Sequence, residues 1–135
     1  MRRRLLLATA LVLALPATAH AGDITKAKRL LTGKRFVTHI SSQGGAATID
    51  RSADLCKRGR FVYTSTFLYP EADQVQEQTV TGRWRVTAAK IKGSFGTATV
   101  RYTADDGSRG TVRLVANQRG VYVNGAPAEV LSAGC

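Results

Sequence analysis

From Gly33 onward the apolar residues recur at every second position, and this period of two constrains the fold more than any other feature. Phe61, Tyr63 and Phe67 fall on one face of their segment, and so do Val80, Gly82, Trp84 and Val86 on theirs. Ala98, Val100 and Tyr102 repeat the pattern, followed by Val112, Leu114 and Ala116. Successive side chains of an extended chain point to opposite faces, so such alternation describes strands with one buried and one wet face. Reading β-branched and aromatic runs between turn signals places strands at Lys34–Ile40, Ala46–Asp50, Arg60–Leu68, Gln78–Ala88, Thr97–Thr103, Arg109–Ala116, Gly120–Asn124 and Ala126–Ser132. Eight short strands with tight connections predict an all-β antiparallel meander that closes as a barrel. A β-sandwich is the alternative.

Two turns specify their register. In "TADDGSR" a three-residue loop, Asp105-Asp106-Gly107, pairs Tyr102 with Gly110, Val100 with Val112 and Ala98 with Leu114. A two-residue loop would set Arg101 against Val112 and mix the faces, which a half-buried sheet does not tolerate. In "VYVNGAPAEV" the two-residue Asn124-Gly125 turn sets Val123 against Ala126 and Val121 against Ala128. The stretch "YPEADQVQEQ", Tyr69–Gln78, reads as an exposed loop in which Pro70 interrupts any ladder.

The chain begins "MRRRLLLATALVLALPATAHAG". Arg2 to Arg4, an apolar run over Leu5–Leu15, Pro16 and the small-x-small motif Ala19-His20-Ala21 describe a cleaved export signal over residues 1–21. The run is too short to span a bilayer, so no transmembrane anchor is expected. No cysteine follows it to accept a lipid. Residues 22–135 then form a single exported domain, periplasmic or secreted. Loss of the three arginines takes the formal charge from +11 to +8.

Cys56 and Cys135 are the only cysteines, and in an oxidising compartment such a pair predicts a disulfide. The rival reading, a Cys56 thiolate activated by Lys57, Arg58 and Arg60, requires a free thiol. "DITKAKRLLTG" forms a short helix, with Asp23 placed to cap it, Gly33 to end it, and Ile24, Ala27 and Leu31 on one face.

A short helix, "LTGKRF" and a meander tied back by a cysteine resemble a compact lipocalin-type (calycin) barrel. The likeness is architectural and covers nearly all of residues 22–135. Where lipocalins carry Gly-x-Trp on the first strand, this chain has Gly33-Lys34-Arg35-Phe36, and its one Gly-x-Trp is Gly82-Arg83-Trp84. The order Cys56…Trp84…Cys135 also suits an immunoglobulin-like sandwich, although 28 residues separate the first cysteine from the tryptophan.

No catalytic constellation stands out. Ser41 and Ser42 are merely chain neighbours of His39, which reads as a strand-surface or rim residue. Asp105 and Asp106 suit a hairpin tip, Glu71, Asp73 and Glu77 a solvated loop, and Asp50 and Asp54 caps or turns. The residues supply no metal site and imply no cofactor. The stretch "LCKRGRFVYTSTF" has the flavour of a base-stacking RNA-binding strand, but Arg58-Gly59 is followed by Arg60 where an aromatic is needed. Export also separates the protein from intracellular nucleic acid.

Two binding features are left. Phe61, Tyr63, Phe67, Trp84, Val100, Tyr102 and Leu114 face inward, as core or as the lining of a ligand cavity. Arg83, Arg85, Arg101 and Arg113 face outward on consecutive strands, with Lys90 and Lys92 in the connection between the first two. The expectation is an exported non-enzymatic binding protein holding a small apolar or amphipathic ligand. A basic surface module, or inhibitor, for anionic envelope polymers, lipids or a protein is the second reading, and a small secreted hydrolase the third. Oligomeric state is left open.

Overall fold

A computed structural model describes residues 22–41, 47–69 and 74–135. The leader expected over residues 1–21, and Ser42, Pro70, Glu71 and Asp73, lie outside the described residues. Helix α1 covers 22–31. The strands are β1 (Lys34–Ser41), β2 (Thr48–Leu55), β3 (Arg60–Tyr69), β4 (Gln74–Lys92), β5 (Phe95–Ala104), β6 (Arg109–Asn117), β7 (Gly120–Val123) and β8 (Ala126–Ser132). Each pairs antiparallel with the next, and β8 pairs with β1, so the sheet is a closed barrel and the sandwich alternative falls.

Both turn readings hold. Tyr102 pairs with Gly110, Val100 with Val112 and Ala98 with Leu114, and Gly107 is left-handed at φ 92°. Asn124 and Gly125 both have positive φ, as a type I′ turn requires, and Val123 faces Ala126.

Three strand readings need correction. β2 runs to Leu55, so Asp50 and Asp54 sit within a strand instead of at a cap or turn. They lie directly opposite His39 and Arg35, and cross-strand charge pairing is their role. The loop expected over Tyr69–Gln78 is narrower, because Gln74 already pairs with Tyr69 and Gln78 with Ser65. Finally, β4 continues to Lys92, which places Lys90 and Lys92 on the strand and not in a connection.

A bulge explains the third correction. Val86 pairs with Val100 but Ala88 pairs with Thr99, leaving Thr87 as the extra residue. The inward set therefore changes parity, from Gly82, Trp84 and Val86 to Ala89 and Ile91. Ala89 is buried, whereas Lys90 and Lys92 are exposed. Were Thr87 paired regularly, with no bulge, both lysines would point into the core.

In a meander the turns alternate between two ends. α1 enters β1 at the end that carries the β2–β3, β4–β5 and β6–β7 turns, and it closes that end. Ala27 is 1% exposed in the core, with Ile24 and Leu31 packed beside it. The expected cap residue Asp23 instead accepts a hydrogen bond from the Ile91 amide at 3.2 Å, tying the helix to β4. Gly33 ends the helix in the left-handed region (φ 82°) and donates its N–H to the Leu55 carbonyl.

Cys56 and Cys135 form a disulfide with Cα atoms 5.3 Å apart. It fastens the segment after β8 to the β2–β3 turn. β8 needs that anchor, because only Lys34 to Val37 of β1 and Val121 to Val123 of β7 pair with it.

Candidate functional site

The interior is hollow. A cavity of about 520 Å³ runs through the barrel, with Phe36, Leu55, Phe61, Trp84, Val100 and Leu114 among its walls. Among the described residues, no large side chain is completely buried. The cavity reaches the end opposite α1, where Ser108, Asn124 and Ala126 line it. Of the seven residues expected inside, Phe61, Tyr63, Trp84, Val100, Tyr102 and Leu114 all line it. Phe67 does not; it pairs with Ile49 and Gln76, further along β3.

The aromatic wall is set by two glycines. Phe61 stands across from Gly82, and Tyr102 across from Gly110. A Cβ at Gly110 would strike the Tyr102 ring, and one at Gly82 would meet the Phe61 ring and the Thr103 carbonyl. Each ring lies over the missing side chain of its partner, an arrangement that restores packing at a strand glycine. The rings then meet edge to face, centroids 5.5 Å apart. Trp84, 5% exposed, donates its Nε1–H to the Cys56 carbonyl at 3.1 Å, which fixes the indole beside the disulfide.

One cation belongs to this interior. Arg51 pairs with Thr38 on one side and Ser65 on the other, both buried, so it shares their inward face. It lines the cavity while remaining exposed, and among the described residues it has no ion-pair partner.

A second hollow, about 690 Å³, lies on the outer wall. Arg58, Arg83, Arg85, Arg101 and Arg109 line it. Three of these were expected on the basic face. Arg113, Lys90 and Lys92 do not line it; Arg113 faces Thr99 and Lys90 faces Thr97. Arg109 was legible by parity with Thr111 and Arg113. Arg58 was not, because a 3-10 turn (Lys57–Gly59) delivers it.

The electrostatics of the outer hollow are unfavourable for folding alone. Arg85 stands directly opposite Arg101, and Arg83 opposite Arg60. Like charges in such positions cost roughly 0.2–1 kcal/mol each. Asp105 is engaged elsewhere, accepting hydrogen bonds from Thr81 Oγ1 at 2.6 Å and Arg60 Nη2 at 3.5 Å. Among the described residues, none of the five lining arginines is ion-paired. Arg58 also holds a left-handed backbone (φ 62°, ψ 25°), which costs a non-glycine residue about 1–2 kcal/mol.

Elsewhere charges are matched. Arg35 and Asp54 make a two-pronged pair, Nε–Oδ1 2.6 Å and Nη2–Oδ2 2.8 Å. That hydrogen bonding, and then the aspartate's charge, raises the arginine's pKa above its ordinary value. His39 Nδ1 lies 2.6 Å from Asp50 Oδ1 on the outside of the barrel, where His39 is exposed as expected. The pair orients the imidazole, yet Ser41 stands two residues along the strand, about 7 Å away by strand geometry. A nucleophile in contact with its base needs about 3 Å.

Fold and cavity together define a class: a small antiparallel eight-stranded barrel, shut at one end by a helix and hollow within, consistent with a lipocalin-like architecture. No protein-family model, curated protein or solved structure matches the chain.

Proposed function

We propose that this is an exported, non-enzymatic, lipocalin-like carrier that holds a small apolar or amphipathic ligand inside the barrel. The cavity carries the reading: its size falls in the ordinary range for small-molecule sites, and its walls are largely apolar with few polar groups. An apolar tail would lie against Phe61, Trp84 and Leu114. Arg51 would stay near the wetter end, where a polar head could meet it. Export of the chain suits the disulfide, which persists in an oxidising compartment. No helix among the described residues is long and apolar enough to cross a membrane.

The test is native mass spectrometry of protein exported into an oxidising compartment, before and after organic extraction. Titration with a fluorescent long-chain fatty acid follows. Saturable binding at one site per chain is expected, abolished by Val112→Trp, which fills the cavity from β6. Lack of saturable binding to the extracted protein, or equal binding by the filled variant, refutes the reading.

A further inference from the structure

We infer that the outer hollow is a second binding site, for a compact anion carrying two or more adjacent phosphate groups. Three features point there independently of the interior cavity. The first is composition: among the described residues, every cation lining the hollow is an arginine, and no carboxylate lines it. Arginine presents a rigid fork of donors that grips phosphate oxygens two at a time, whereas lysine is a point charge. The chain's lysines at 90 and 92 lie on the same strand but outside the hollow.

The second feature is uncompensated repulsion. Arg85 and Arg101 face each other across β4 and β5, and no acidic side chain among the described residues relieves them. A bound anion would turn this repulsion into shared attraction. The third feature is Arg58, kept in a left-handed conformation at the hollow's edge beside Gly59. A glycine would adopt that backbone freely, and non-glycine residues held in this conformation cluster at ligand-binding and switch sites.

The shape favours a compact ligand over a polymer. A chain of phosphodiesters needs a basic track along which successive charges are met. Here the arginines converge from β4, β5, β6 and one turn onto a single bounded hollow. Arg113, Lys90 and Lys92 do not extend it. Facing side chains on neighbouring strands start about 5 Å apart, and same-face neighbours along a strand about 7 Å, so several forks can reach one polyphosphate.

Isothermal titration of the full exported protein with tripolyphosphate tests the proposal, at about 0.15 M salt, where exposed charges beyond ~8 Å are largely screened. Orthophosphate and an oligothymidylate serve as comparison ligands. Two double variants remove equal charge: Arg85→Gln with Arg101→Gln inside the hollow, and Lys90→Gln with Lys92→Gln outside it. All four positions are exposed, and circular dichroism verifies the folds. The expected result is saturable tripolyphosphate binding, tighter than orthophosphate by about tenfold or more, since multiple charge-assisted bonds add. The arginine pair should lose about tenfold or more and the lysine pair less than about twofold. Absence of saturable binding overturns the site. Equal losses in both variants would show diffuse attraction instead. Tighter binding of the oligothymidylate would replace the compact ligand with a polymer.

Discussion

Reducing the single disulfide should destabilise the barrel heavily, and the size of the effect follows from chain topology. Cys56 and Cys135 are 79 residues apart. In the chain-entropy model, opening a loop of about 80 residues costs about 4.5 kcal/mol of folding free energy. The barrel is also poorly placed to absorb the loss, because β8 is attached by two short ladders, four pairs to β1 and three to β7. With a guanidinium slope of about 3 kcal/mol/M for a domain of this size, the unfolding midpoint should fall by about 1.5 M. The comparison is best made on one sequence, oxidised against fully reduced, followed by Trp84 fluorescence and by circular dichroism. Coincident transitions would establish that the two-state treatment applies. Cys135→Ala should reproduce the reduced midpoint. A midpoint shift below about 0.3 M at unchanged slope, roughly 1 kcal/mol, would refute the view that this crosslink holds the seam.

Deleting Thr87 removes the bulge and leaves every other β4–β5 pair in register, Val86 with Val100 and then Ala88 with Thr99, so Ala89 and Ile91 stay inward and Lys90 and Lys92 outward. The deletion and Thr87→Ala should therefore both fold and keep the near-ultraviolet dichroism of Trp84; its loss in the deletion variant would contradict the assignment of Thr87 as the extra residue. At the β5–β6 turn, the Ser108 hydroxyl (2.7 Å) and then its amide (2.9 Å) donate to Asp106 Oδ1 and lower its pKa below the ordinary carboxylate value. A lowered folded pKa stabilises the protein above the unfolded value and ceases to do so as pH falls through the folded one. The stability gap between wild type and Asp106→Ala should therefore narrow in acid, below about pH 4. Melting temperatures measured from pH 7 to pH 2 would show it; a gap that does not narrow would contradict the assignment.

How much of this was legible depends on how local the cause is. The turns at Asp105–Gly107 and Asn124–Gly125 carry their own backbone chemistry, so their registers could be read by parity. β2 was truncated because its inward face reads Ile49, Arg51, Ala53, Leu55, and one inward arginine spoils the alternation. The start of β4 was missed because Val75 to Thr79 are exposed on both faces, and a doubly wet ribbon has no hydrophobic period. The bulge gave no warning, since Thr87, Ala88 and Ala89 fit either parity. Among the site residues, the inner wall followed from alternation alone. The arginine hollow did not, because Arg58 reaches it from a turn whose position depends on how the strands are staggered around the barrel.

That stagger also orders the events of folding. Seven of the eight strand contacts join neighbours in the chain, so each hairpin can zip on the previous one with a short loop to close. The exception is the seam, where Val37 must find Glu129. Until it does, β1 and β8 present unpaired edges, and an open sheet edge is a template for another molecule. The interval between the last hairpin and seam closure is therefore when this chain is most exposed to aggregation. Any factor that captures Cys56 and Cys135 together, an oxidase or isomerase, would shorten that interval. The staple would then act as a folding catalyst's handle as well as a brace for the finished barrel.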